Sequence, residues 1–234
     1  MEQHVVPLDG PSGADRIGEY SRGGRLIFEN AEALYQEANA LREAGRFARA
    51  AFLHQISMEE CAKVDMLGGW VTTVLMGGKI SERTMAGVFR DHRAKNYANA
   101  YNARPIREEL EAKKRGDWKA VREAFKRFQA MFHSEVNTTK NAALYVDFKD
   151  GRFVSPKDLI PIETVTAMAA LNADFLSRAS LFVRLLERMA NETSTFERFA
   201  RHFALRAEEL RRAGRHDPET LIAELLQEMR QIDK

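Results

Sequence analysis

Two long stretches of helical periodicity, each closed by glycine, limit this chain to a helical fold more firmly than any other feature. From about Asp15 to Ala44, the residues Ile17, Leu26, Ile27, Asn30, Ala31, Leu34, Ala38 and Leu41 recur at helical spacing. Gly23-Gly24 weakens the first part, and Gly45 stands where a C′ residue would end the helix. A second helix is predicted from about Arg46 to Met76, with Gly77-Gly78 closing it. At about 100° per residue, Phe52, Ile56, Met66 and Leu67 share one of its faces.

The rest of the chain continues the pattern. Ser81 is a predicted N-cap for a third helix running through "SERTMAGVFRDHRAKNYANAYNA". Met85, Val88, Phe89, His92, Asn96 and Asn99 share its inner face, with Lys95 at the margin. Pro105 ends that helix or starts the next. A fourth helix is expected from about Asp117 to Thr139, with Trp118, Val121, Phe125, Phe128 and Phe132 as its apolar stripe. "ALYVDFKDGRFVSP" alternates apolar and polar residues around Asp150-Gly151, which predicts a small β-hairpin at about 143–155. A long helix follows from near Ile162, a junction at Asn191 to Ser194, and a helix carrying Phe196, Phe199 and Phe203. Asp217-Pro218-Glu219 has the form of a last helix start. The expected organisation is a loose tail over 1–14, a helical domain over 15–190 and a helical extension over 191–234.

Composition excludes several classes. Hydrophobic residues make up 44% and charged residues 30% of the 234 positions, so the chain can bury a core. One cysteine cannot form an intrachain disulfide, which fits a reducing cytoplasm. With that single Cys61 and six scattered histidines, no zinc-ligand spacing exists, and neither metal nor cofactor is expected. No signal peptide and no membrane span are expected. Net charge is only +2, but Arg90, Arg93, Lys95, Arg104 and Arg107 stand against Asp91 alone, and 113–127 is also basic. Such a middle suits either an anionic ligand or a solvated face.

One stretch conflicts with its surroundings. "SMEECAK" places Glu59 and Lys63 within about 20° of Phe52, in the middle of the second helix's apolar face. Glu60 lies at the edge. The spacing predicts an i,i+4 Glu59–Lys63 pair, either a structural buried pair or part of a site. Cys61 beside them reads as a small buried residue.

These residues carry a resemblance. "RLIFENAEALYQEANALREAGRFARAAFLHQISMEECAK", ending in Glu-Glu-x-x-Lys, resembles the first two helices of the AbiV-type abortive-infection proteins, a branch of the HEPN superfamily. His92 and Lys95 in "FRDHRAK" resemble the family's His-x-x-Lys, and "ALYVDFKDGRFVSP" its Tyr-Val-Asp hairpin. The resemblance covers about residues 16–190. It implies an all-α HEPN-like bundle with the small inserted hairpin and a C-terminal helical extension, usually a homodimer with a polar cleft near its interface. It also implies a cytoplasmic antiphage role: a toxin that cleaves RNA as a metal-independent endoribonuclease, released by a phage-encoded activator or a cognate regulator. Catalytic HEPN domains generally carry Arg-x(4–6)-His late in the bundle. The nearest match is Arg127-x5-His133, whose members lie about 120° apart on an unbroken helix.

Metal-free RNA cleavage needs a base for the 2′-OH, an acid for the leaving oxygen and cations on the phosphate. The expected catalytic set is His92, Lys95, Glu59, Glu60 and Lys63, with Arg90, Arg93 and Tyr145 binding substrate. Arg127 and His133 form the alternative catalytic pair. A second His92 across a two-fold axis would supply acid and base together. The competing readings are a binding module that holds RNA, a nucleotide or a phage or partner protein without cutting it, and a purely structural dimer.

Overall fold

The structure, a computed structural model, describes residues 13–102 and 106–213. The expectations for the N-terminal tail to residue 12, for Pro105 and for a helix at Asp217 lie outside the described residues.

Three long helices form the body. Helices α1 (Gly13–Glu43), α2 (Phe47–Leu75) and α8 (Ile162–Asn191) pack on one another. The α1–α2 turn follows from Gly45, whose φ of 71° costs a residue without Cβ little. Arg46 N–H then donates to Leu41 O at 2.8 Å and Gly45 N–H to Arg42 O at 3.0 Å, the double closure of a Schellman motif. Ile17 and Tyr20 from α1, Met58, Val64, Leu67 and Val71 from α2, and Phe175, Val183 and Leu186 from α8 make the main core. Gly24 permits the close approach of α1 to α8: a Cβ there would stand 2.9 Å from Leu186 Cδ1.

Helix α2 is the axis of the molecule. On its other side pack α4 (His92–Asn102) and α6 (Trp118–Leu144). Its buried residues therefore lie around most of its circumference rather than on one stripe. Ala48, Ala50 and Ala51 let the C-terminal end of α6 and the short α7 (Pro156–Leu159) come close, with Ala143, Ile160 and Val165 in the same cluster. Between the expected helices lies a short one, α5 (Arg107–Lys114), which packs on α6.

The expected third helix breaks in two. Helix α3 (Glu82–Arg90) begins at Ser81, whose side chain accepts from Thr84 N–H as expected, and ends at Asp91. Asp91 leaves the helix at φ −83°, ψ 105°, and its Oδ1 accepts from the N–H groups of Arg93 and Ala94. It is thus the side-chain cap of α4, the competing role that short carboxylates favour over mid-helix positions. Helix α6 extends past Thr139 to Leu144, so the hairpin is shorter than expected: β1 (Asp147–Lys149) pairs antiparallel with β2 (Arg152–Val154). Asp150 and Gly151 both adopt positive φ, 51° and 77°, as the Asp-Gly signal demands. Helix α9 (Thr193–Arg212) returns along the body, and Phe196 and Ala200 pack against the main core. Among the described residues no helix is long and apolar enough to cross a membrane.

Candidate functional site

The site forms where α2, α4 and α6 meet. Glu59 points from α2 into that junction and is 1% exposed. His92 Nδ1 lies 2.5 Å from Glu59 Oε2, and Lys95 Nζ lies 3.0 Å from the same oxygen. Lys140 Nζ, from α6, stands 3.5 Å from Oε1. The Asp91 cap sets this geometry. It makes His92 the first residue of α4, so that His92 and Lys95, three positions apart, sit on one face toward α2.

Burial pushes the Glu59 carboxyl up, but hydrogen bonds from His92 and Lys95 and the charges of Lys95 and Lys140 outweigh it. The group stays below its ordinary 4.5 and is a carboxylate at neutral pH. A carboxylate only accepts, so His92 donates through Nδ1 and its Nε2 is the nitrogen left for chemistry. The His92 side chain is 55% exposed, whereas those of Lys95 and Lys140 are 6% and 13% exposed. The arrangement is an accessible imidazole, fixed in orientation by a buried carboxylate and backed by ammonium groups.

The expected Glu59–Lys63 pair does not form. Lys63 donates to Glu60, and its ammonium stands 5.6 Å from the centre of the Phe89 ring. Glu59 is directed between helices, toward α4 and α6, while Lys63 finds its partner one turn away on its own helix. The two acidic residues thus divide the work: Glu59 holds His92 and Glu60 holds Lys63. Lys95, expected at the margin, is buried at the centre.

The other expected residues are peripheral. Arg90 is exposed. Arg93 donates to the Tyr97 hydroxyl at 2.9 and 3.1 Å. Tyr145 is 60% exposed at the α6 exit and does not pack in the core. Arg127 and His133 are not brought together. Arg127 is exposed and pairs with Glu108 on α5 at 3.0 Å, while His133 faces α4, 3.1 Å from Asn96 Nδ2.

Two further features escaped the sequence reading. Lys140 is one; it lies in "NTTKNA", which has no apolar pattern to mark it. The other is the α2 and α8 side of a layer of buried polar groups, whose α4 members Asn96 and Asn99 were expected on an inner face. Gln55 donates to Asn96 at 3.3 Å, Asn99 donates to Met58 O at 2.9 Å, and Ser57 donates to Ala31 O at 2.7 Å. His54 is fully buried beside Asn172, and burial above all, with the Arg42 charge, lowers its pKa to about 4. Cys61 is buried, and burial first, then the Asp65 and Glu60 charges, pushes its thiol up to about 12. Among the described residues no group of three or more His, Cys, Asp or Glu side chains is placed to hold a metal ion.

Comparison with known proteins agrees with this architecture. The HEPN family model described as AbiV matches residues 19–177, a span that contains Glu59, His92, Lys95 and Lys140. An uncharacterized protein of Sinorhizobium fredii, y4gJ, is 36% identical over 110 residues, which are 47% of this chain and 57% of that protein. The chain thus spans little more than half the length of that relative. No solved structure matches. With most of the chain inside one family match, and a helical bundle that brings Glu59 of Glu-Glu-x-x-Lys to His92 and Lys95 of His-x-x-Lys at one junction, this chain belongs to the AbiV family of HEPN proteins.

Proposed function

We propose that this chain is an abortive-infection protein acting against phage, a toxin that cleaves RNA as a metal-independent endoribonuclease. The observation that carries the reading is the pairing of His92 Nδ1 with the buried Glu59, which orients an exposed imidazole beside two ammonium groups. Glu59 keeps one tautomer of His92 in place, and Nε2 exchanges protons with the substrate. Lys95 and Lys140 supply positive potential, and Arg90 and Arg93 hold the strand.

Cleavage proceeds by attack of the ribose 2′-oxygen on the adjacent phosphorus. Nε2 of one His92 takes the 2′-OH proton. The 5′-oxygen departs and takes a proton from an imidazolium. One imidazole cannot fill both roles in a single step, so a homodimer presents a second His92 across its two-fold axis. The products are a 2′,3′-cyclic phosphate and a 5′-OH.

A second reading has an observation of its own. Arg127 and His133, the pair nearest to the catalytic HEPN pattern, face different partners. A non-catalytic module would use the same cluster to hold RNA, a nucleotide or a phage protein. Incubating total RNA and chelator with wild type and His92→Ala separates the two. Cleavage by the wild type alone supports the enzyme; equal cleavage by both removes His92 from the mechanism; binding without cleavage favours the module.

A further inference from the structure

Lys140 is placed unlike the other cations of the site. Lys95 donates to Glu59 Oε2, and Lys63 donates to Glu60. Lys140 stands beside Glu59 Oε1 at 3.5 Å, too far to satisfy that oxygen, which has no hydrogen bond of its own. Among the described residues, none of the Lys140 ammonium donors makes a hydrogen bond, although the side chain is 13% exposed. This ammonium is ion-paired with Glu59, yet among the described residues its donors are free of hydrogen-bond partners and can turn to an arriving oxyanion.

The charge count points the same way. Glu59 and Glu60 face Lys63, Lys95 and Lys140, so the cluster carries one positive charge in excess with His92 neutral. The excess lies at Lys140, because each of the other ammoniums has a hydrogen-bonded carboxylate. An oxyanion arriving beside His92 would meet an oriented donor and neutralise the surplus.

From these observations we infer that Lys140 is a phosphate-binding residue: it donates to a non-bridging oxygen of one RNA phosphate seated at His92. The inference rests on the RNA reading above and adds a residue and a contact to it. Lys140 is a direct contact here, whereas Glu59 acts only through His92.

The test uses the full chain and a fluorescent 2′-deoxy oligonucleotide, which binds but cannot be cut by 2′-oxygen attack. Affinity is titrated against salt for wild type, Lys140→Met and Lys140→Arg. Loss of one phosphate contact on a single strand lowers the slope of log K against log salt by about 0.7. The expected result is that shift in Lys140→Met, near-wild-type slope in Lys140→Arg, and protection of wild-type Lys140 from acetylation by the bound oligonucleotide. An unchanged slope in Lys140→Met overturns the inference, and so does unprotected Lys140 if that variant fails to fold. If wild type cleaves RNA through His92 while Lys140→Met keeps its slope, the inference fails and the ribonuclease reading stands. If Lys140→Met loses the slope increment but no protein cleaves RNA, the contact stands and the ribonuclease reading fails.

Discussion

Glu59 Oε2 serves two donors from one turn of α4: His92 Nδ1 at 2.5 Å and Lys95 Nζ at 3.0 Å. One buried oxygen therefore couples the orientation of an exposed ring to a buried charge. Removing the charge from Glu59 leaves Lys95 and Lys140 buried without their counter-ion. Breaking a buried ion pair from one side costs about 3–5 kcal/mol. Glu59→Gln is expected to lose stability on that order in urea denaturation and to lose RNA cleavage. A loss under about 1 kcal/mol would show that water, not Glu59, compensates the two lysines.

His54 gives the fold a pH limit. Its pKa is lowered from 6.5 to about 4, so the folded state keeps the ring neutral where the unfolded chain takes up a proton. The unfolded state binds more protons across that window, and stability falls as pH drops from about 6.5 toward 4. Glu59 adds to the loss at lower pH: its carboxyl is held below 4.5, and its contribution fades as pH falls from 4.5 through the folded value. The melting temperature of wild type should fall between pH 6.5 and 4, and His54→Leu should flatten that part of the curve. Parallel curves for the two proteins would contradict the assignment.

The Arg127–Glu108 pair is exposed, with 64% and 69% of the side chains accessible. Such pairs contribute about 0–1 kcal/mol. Arg127→Ala should leave melting and RNA cleavage nearly unchanged. His133→Ala should cost about 1 kcal/mol through its contact with Asn96 and keep cleavage within a few-fold. A collapse of cleavage in both variants would instead support those two residues as the catalytic pair.

The helical plan was readable because glycines and caps stand where periodicity stops. Gly45, Ser81 and Asp150-Gly151 all act as their chemistry predicts. The unusual position of Glu59 was readable too, since a carboxylate on an apolar face needs a partner. The identity of the partner was not. Spacing within α2 points to Lys63, but the crossing of α2, α4 and α6 decides that Glu59 meets residues 33, 36 and 81 positions later. Asp91 did carry a signal: a short carboxylate three residues before Ala94, able to cap a new helix. It was hidden by an apolar pattern that runs smoothly through the break. Lys140 had no comparable signal, because a polar run at a helix end looks the same whether it faces solvent or a buried carboxylate.

Cys61 should be inert in the native state. A buried thiol held up at about 12 is almost never the thiolate that alkylating reagents attack. Iodoacetamide is expected to leave it unmodified at neutral pH and to modify it fully in denaturant, as read by intact mass. Rapid native labelling would mean that α2 opens readily at the level of the site.

The chemistry of the cut ends tests the central claim most directly. In the proposed reaction His92 moves the protons without a metal and the ribose 2′-oxygen attacks, so RNA cut in chelator by the wild type is expected to end in a 2′,3′-cyclic phosphate and a 5′-OH. The account predicts those ends from wild type and none from His92→Ala. Cut ends carrying a 5′-phosphate and a 3′-OH, or the same cyclic ends from His92→Ala, would contradict it.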